Sequence, residues 1–277
     1  METVVSKDGT TIAFDRVGKG PPLILVDGAF QHRAIDLTSS RLAELLAPGV
    51  TVFHYDRRGR GDSGDTAPYA VEREIEDLEA LIVGAGGSAH VFGMSSGAAL
   101  ALAAAAHGLP IVSLALYEPP FIVDDTRPLP PPGLAARYTE LASEDRRGEA
   151  VALFLTKAVG LPDDMVAQLR NAPVWPALES VAHTLAYDAA VMGDTTIGSV
   201  EPLKRWASLQ TPTLVIDGGD SPAWARNAVS AIAETLPHAE RRTIEGQTHQ
   251  VSADALAPIL DAFFAERNGA HIEGVIA

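Results

Sequence analysis

Cysteine is absent from the 277 residues. That excludes disulfides, zinc–thiolate sites, iron–sulfur clusters and thiol nucleophiles. Positive charge is scarce: 21 Lys and Arg stand against 36 Asp and Glu, for a formal net charge of -15. A nucleic-acid binder needs a concentrated positive surface to displace counterions, and an anionic membrane repels an acidic chain. Neither partner is expected. Lysine is rare even among the cations, four against seventeen arginines, a usage that suggests a GC-rich bacterial genome. Long hydrophobic runs are missing too. The longest, around Ala98–Ala106, is about half of what a bilayer crossing needs. Met1–Thr10 is polar and lacks the apolar stretch of a secretory signal, so a cytoplasmic protein is expected.

What remains is a chain that is 47% hydrophobic and 21% charged, enough for a large core. Short apolar runs alternate with helical patterns. Leu23–Val26, Val50–Tyr55, Ala89–Met94, Ile111–Tyr117, Pro212–Ile216 and Ala239–Ile244 lack strict alternation, as strands buried on both faces of a parallel sheet do. Thr3–Ser6 and Thr10–Arg16 flank Asp8-Gly9, a hairpin signal. Helical spacing recurs in Val71–Val83, Gly97–His107, Trp224–Leu236 and Ala253–Glu266. The pattern predicts an α/β fold with an eight-stranded, mainly parallel sheet and helices on both faces. From about Asp124 to Ser199 the alternation stops. Helical stretches at Leu134–Ser143, Gly148–Val159, Asp163–Asn171 and Pro176–Met192 follow a proline-rich start. Residues 124–199 therefore read as an all-helical cap inserted into a core made of residues 1–123 and 200–277.

The strongest chemical signal is Gly93-Met94-Ser95-Ser96-Gly97, which follows an apolar strand and opens a helix. Small residues on both sides of Ser95 permit a sharp strand-to-helix turn that lifts the hydroxyl above the sheet edge. The helix start then favours developing negative charge. A serine nucleophile needs a base. Of eight histidines, His249 lies in a loop after the last strand and before the last helix, in the chain order serine first, histidine late.

With these motifs the chain resembles the α/β-hydrolase superfamily over nearly its whole length. Leu23–Phe30 looks like the oxyanion strand and loop, and Asp56-Arg57-Arg58-Gly59-Arg60-Gly61-Asp62-Ser63 like the Asp-x-Arg-Gly-x-Gly-x-Ser loop. The resemblance implies an oxyanion hole from the backbone N–H groups of Ala29 and Ser96. Two departures stand out. Asp27 replaces the usual His before Gly28, putting a carboxylate beside the oxyanion site. The acid that orients His249 is also displaced: the position after the seventh strand where relatives carry Asp holds Ser221 here. Asp220 is one residue early. Glu118, at the end of the preceding strand, is the favoured alternative, since some haloalkane dehalogenases carry a catalytic Glu there.

The nucleophile type narrows the reaction. Serine at the elbow fits acyl chemistry, whereas haloalkane dehalogenases and epoxide hydrolases use Asp. The expectation is a serine hydrolase of small carboxylic esters or lactones. Phe30, Met94, Phe121 and Trp175 are expected to line the substrate site. No metal or other cofactor is implied, and the oligomeric state stays open. C–C hydrolysis, acyl transfer and perhydrolysis share the same residues. A non-hydrolytic ligand-binding or cyclase-like protein is the alternative of another class, favoured by Asp27 and the displaced acid.

Overall fold

Asp8-Gly9 turns the chain between two strands, β1 (Glu2–Val5) and β2 (Thr11–Gly18). The Asp8 carboxylate accepts from the Thr10 N–H, and Gly9 takes the left-handed φ of +86° the turn needs. The computed structural model describes residues 1–276. From β2 onwards, strands and helices alternate: β3 (Pro22–Val26), α1 (Leu37–Leu46), β4 (Thr51–Tyr55), α2 (Val71–Gly84), β5 (Ala89–Met94), α3 (Ser96–Ala106) and β6 (Ile111–Tyr117). After a long interruption the alternation resumes with β7 (Thr213–Gly218), α9 (Ala223–Thr235), β8 (Ala239–Ile244) and α10 (Ala253–Ile276).

The eight strands form one sheet in the order β1-β2-β4-β3-β5-β6-β7-β8. The β1–β2 and β2–β4 pairs are antiparallel, and every other pair is parallel. One apolar core joins the sheet to α2, α3 and α9, with Ile24, Val91, Leu100, Leu116 and Val229 buried in it. The other face packs on α1 and α10 through Leu25, Leu42, Phe92, Leu256 and Phe264. Burial on both faces is why these strands read as continuous apolar runs. The register pairs Val26 with Gly93, Met94 with Tyr117 and Tyr117 with Ile216. The carboxyl ends of the central strands are therefore level. The loops that follow them, with Asp27–Phe30, Ser95, Glu118 and His249, meet at one edge, where open α/β sheets place ligands.

The interruption between β6 and β7 holds α4 (Leu134–Ser143), α5 (Arg147–Leu153), α6 (Asp163–Leu169), α7 (Trp175–Ser180) and α8 (Leu185–Met192), and no strand. It has its own core of Tyr138, Leu141, Val151, Leu155, Trp175 and Leu185, against which Ala29 and Phe30 of the sheet edge pack. Two expected helices differ in detail. Gly148–Val159 runs as α5 into a π-helical turn over Phe154–Val159. Pro176–Met192 is broken by a 3-10 turn at Ala182–Thr184, where Thr184 Oγ1 bonds back to Val181 O. Helix α1 was not among the expected helices. Its start is marked by Asp36, whose carboxylate caps the N–H groups of Thr38 and Ser39, and Leu42 and Leu46 lie one turn apart on its buried side. No helix among the described residues is long and apolar enough to cross a membrane.

Candidate active site

Ser95 sits between β5 and α3 with φ 56° and ψ -127°, a left-handed conformation that a non-glycine residue adopts only under constraint. The constraint is visible. The Ser95 N–H donates to Tyr117 O at 2.9 Å, tying the turn to β6. A Cβ on Gly93 would meet the Ala98 Cα at 2.6 Å, and one on Gly97 would meet Val26 O at 2.1 Å. Both positions demand glycine because helix α3 starts in contact with β3 and β5.

His249 lies in the loop after β8. Its Nδ1 is 2.8 Å from Glu118 Oε2, and Glu118 Oε1 accepts from the Gly218 N–H at 2.8 Å. Glu118 is buried and also has positive φ, 42°. The histidine loop is fixed by Tyr117, whose hydroxyl donates to Thr248 O at 2.6 Å. It crosses β7 so closely that a Cβ on Gly218 would lie 2.3 Å from Gln247 O. Asp220 is not brought to the histidine: it is exposed, and its backbone N–H donates to Gln247 O. No hydrogen bond joins Ser95 Oγ to His249 among the described residues, a bond that in enzymes often closes only with substrate in place.

The third part is the loop after β3. Phe30 has φ 65°, and the Gly28 N–H is held by Gln31 Oε1 at 2.7 Å. The N–H groups of Ala29 and Ser96 have no protein acceptor among the described residues. Four non-glycine residues carry positive φ among the described residues, and three of them, Phe30, Ser95 and Glu118, follow the carboxyl ends of β3, β5 and β6. Strained backbone clusters at functional sites in many proteins, which makes this sheet edge the candidate site.

A family model described as the alpha/beta hydrolase family matches residues 23–262. The chain belongs to the alpha/beta hydrolase family. An alpha/beta hydrolase from Sphaerobacter thermophilus is 59% identical, with a TM-score of 0.87 over 95% of this chain and 100% of that one. A thermophilic esterase from Thermogutta terrifontis has 21% identity and a TM-score of 0.70, covering 96% and 98% of the two chains. A meta-cleavage product hydrolase from Pseudomonas fluorescens has 17% identity and a TM-score of 0.63, covering 96% and 98%. At these lower identities the likeness is one of fold. Among curated proteins none matches the sequence.

In this alpha/beta hydrolase the Asp27 side chain turns to β4 and α1. Its carboxylate contacts His54 Nε2 at 2.8 Å on β4 and accepts from the Ser39 hydroxyl at 2.6 Å on α1. Burial alone would lower the His54 pKa, but the charge and hydrogen bond of Asp27, with Asp36 and Asp56 behind them, raise it above 6.5. Protonated His54 thus stabilises the fold fully below about pH 6.5, and that share is lost as pH rises through the raised value. The melting-temperature advantage of wild type over His54→Gln is expected to be largest near pH 6 and to narrow towards pH 9. A gap that widens with pH would refute the pairing.

The Asp56–Ser63 loop carries three arginines for which the sequence pattern gave no pairing partners. Arg57, Arg58 and Arg60 are each about 1% exposed, and all are paired. Arg58 binds Asp77 and Asp8. Arg57 forks onto Glu74 at 2.7 Å through Nε and Nη2, and its Nη1 reaches Asp188 of α8, also at 2.7 Å. Arg60 donates to the other oxygen of Asp188 at 2.7 Å, to Thr184 Oγ1 and to Gly28 O. The Ser96 hydroxyl completes the cluster, donating to Asp188 Oδ1 at 2.7 Å. Burial pushes the Asp188 carboxyl up, but Arg60, Arg57 and Ser96 outweigh it and hold the pKa below its ordinary value.

Two expected lining residues lie elsewhere. Phe121 is 0% exposed and stacks on Trp206 in the sheet's core, with no surface left for a ligand. Trp175 is packed in the insertion's core, its N–H donating to Glu179 and Arg170 over its ring. Phe30 lies in the loop after β3, and Met94 precedes Ser95 in the chain. Phe30 meets Phe154 of the insertion edge-on at 5.2 Å, and Met94 ends β5, partly buried. Among the described residues no group of three or more His, Asp or Glu is placed to hold a metal ion.

Proposed function

We propose that this alpha/beta hydrolase is a serine hydrolase of small, uncharged carboxylic esters or lactones. The observation that carries the reading is the Glu118–His249 contact beside a serine on a strained elbow. Ser95 Oγ attacks the acyl carbon, and its proton passes to His249 Nε2. The carbonyl oxygen becomes an oxyanion that the Ala29 and Ser96 N–H groups receive. His249 then protonates the departing alkoxide, leaving an acyl group on Ser95. Water, deprotonated by His249, attacks that acyl group and releases the acid. Glu118 keeps the imidazole proton on Nδ1, so that Nε2 is free to act as base.

Two further features support the substrate class. The guanidinium groups behind the site are all engaged by carboxylates, so none is left for an anionic substrate. The insertion over residues 124–199 acts as the lid, since its core covers Ala29 and Phe30.

A fluorophosphonate probe, with the modified residue mapped by mass spectrometry, tests the proposal. Labelling is expected at Ser95 in wild type and absent in Ser95→Ala. Turnover of an ester and lactone panel should fall in Ser95→Ala by about 10³-fold or more. Folded wild-type protein that neither labels nor hydrolyses any member of the panel would overturn the reading.

A further inference from the structure

The oxyanion donors proposed above belong to two loops far apart in sequence, and a single buried cluster touches both. Asp188 comes from α8, in the lid. One of its oxygens receives the Ser96 hydroxyl and Arg57 Nη1, and the other receives Arg60 Nη2. Arg60 Nη1 donates to Gly28 O, and Arg57 Nη1 reaches Asp27 O at 3.3 Å. Gly28 O and the Ala29 N–H are the two ends of one peptide unit. In a trans peptide they point in opposite directions, so a guanidinium held on the oxygen side aims the N–H the other way. A cation at the oxygen also polarises the amide and makes its N–H a stronger donor.

We infer that Asp188 and Arg60 are positioning residues that brace both halves of the oxyanion hole, so that the hole is complete only with the lid seated. The inference rests on the serine-hydrolase reading of the site. Asp188 fixes the Ser96 side chain at the start of α3, and with it the direction of the Ser96 N–H at the strained elbow. Arg60, itself held by Asp188, fixes the Gly28–Ala29 peptide. Neither carboxylate nor guanidinium meets the substrate. The charges of Arg57, Arg60, Glu74 and Asp188 cancel formally, so the brace adds no net negative charge behind the oxyanion. When α8 lifts, Ser96 and Arg60 both lose Asp188, and the two donors are released together.

The test compares wild type, Ser96→Ala, Asp188→Asn and the double variant on an ester that wild type cleaves. Active sites are counted with the fluorophosphonate, and a boronic acid serves as a tetrahedral mimic. Ser96→Ala keeps the backbone N–H and loses only the hydroxyl. For each single variant the expected result is a fall in kcat per titrated site of about 10-fold or more, less than deletion of a donor causes. KM should stay within about threefold, because the hole acts on the transition state. Boronate affinity should fall by the same factor as kcat/KM. The double variant should be no slower than Asp188→Asn alone, because one path carries both effects. A merely structural role predicts lower melting temperatures with unchanged kcat per titrated site and unchanged boronate affinity, and that outcome would overturn the inference. If Asp188→Asn fails to fold, Ser96→Ala decides by the same two readouts. Inactive wild type would sink the serine-hydrolase reading and this inference together. Active wild type with an unchanged Ser96→Ala would sink only the brace.

Discussion

Glu118→Gln is expected to lower kcat by about 10³- to 10⁴-fold on any ester the wild type cleaves. The size follows from how the two oxygens of Glu118 are used. Oε1 accepts from the Gly218 N–H, and Oε2 faces His249 Nδ1. A glutamine has one acceptor and one donor end. The Gly218 N–H is buried and needs an acceptor, so the amide oxygen turns to it. The amide NH₂ is left facing Nδ1, which must then accept. The imidazole proton moves to Nε2, the atom that should take the proton of Ser95. The side chain keeps its shape and the site loses its base. Asp220→Asn is the control, and its kcat should stay within about twofold, since that side chain is exposed and makes no hydrogen bond to His249 among the described residues. Steady-state kinetics on both variants decide between the two acids. A large loss in Asp220→Asn with little change in Glu118→Gln would reverse the assignment.

The largest stability effect is expected at Arg57. Replacing it by Met leaves Glu74 buried without its salt-bridge partner and Asp188 buried with Arg60 alone, each carboxylate about 2% exposed. An uncompensated buried charge costs about 3–5 kcal/mol. At roughly 2–4 °C per kcal/mol for a chain of this size, the melting temperature should drop by about 10 °C. Arg242→Met makes the comparison, because its pair with Glu240 is exposed and should change the melting temperature by no more than about 2 °C. Acid should also remove part of the wild-type advantage. The Asp188 pKa is depressed from 3.8 in the fold, so its contribution is complete above that value and disappears as pH falls through the lower one. Thermal melts of the Arg57 and Arg242 variants at neutral and acid pH measure both effects. Equal small shifts in the two variants would show that the buried cluster is not under electrostatic tension.

The sheet was legible because each of its strands leaves a local trace. Runs such as Ala89–Met94 and Ile111–Tyr117 are buried on both faces, and their boundaries in the chain match those in the fold. The elbow was legible for a different reason. Gly93 and Gly97 record close contacts with Ala98 and Val26 that exclude any larger side chain. Glu118 was readable as a candidate acid because a strand end faces the site edge, although its contact with His249 joins positions 131 residues apart. What stayed hidden was the polar interior. Asp188 lies in a short helix of the insertion with no periodic signature, and its partners Arg57, Arg60 and Ser96 are scattered along the chain. Buried pairs of this kind are fixed by tertiary packing, and no local spacing announces them. Phe121 and Trp175 misled in the opposite direction. An aromatic near a motif looks like a pocket wall, yet both rings are consumed by packing.

If the proposed function holds, the edge contact between Phe30 and Phe154 ties the choice of substrate to the speed of the reaction. Phe30 belongs to the loop that carries Ala29, and Phe154 belongs to the helical insertion. In many enzymes the walls that select a molecule can drift while the atoms that cleave it stay still. Here a change in the size of residue 154 moves the neighbour of Ala29, the oxyanion donor proposed above. Laboratory evolution towards bulkier or slimmer esters should therefore return paired changes, one in the lid and one between Asp27 and Gln31, and seldom either alone.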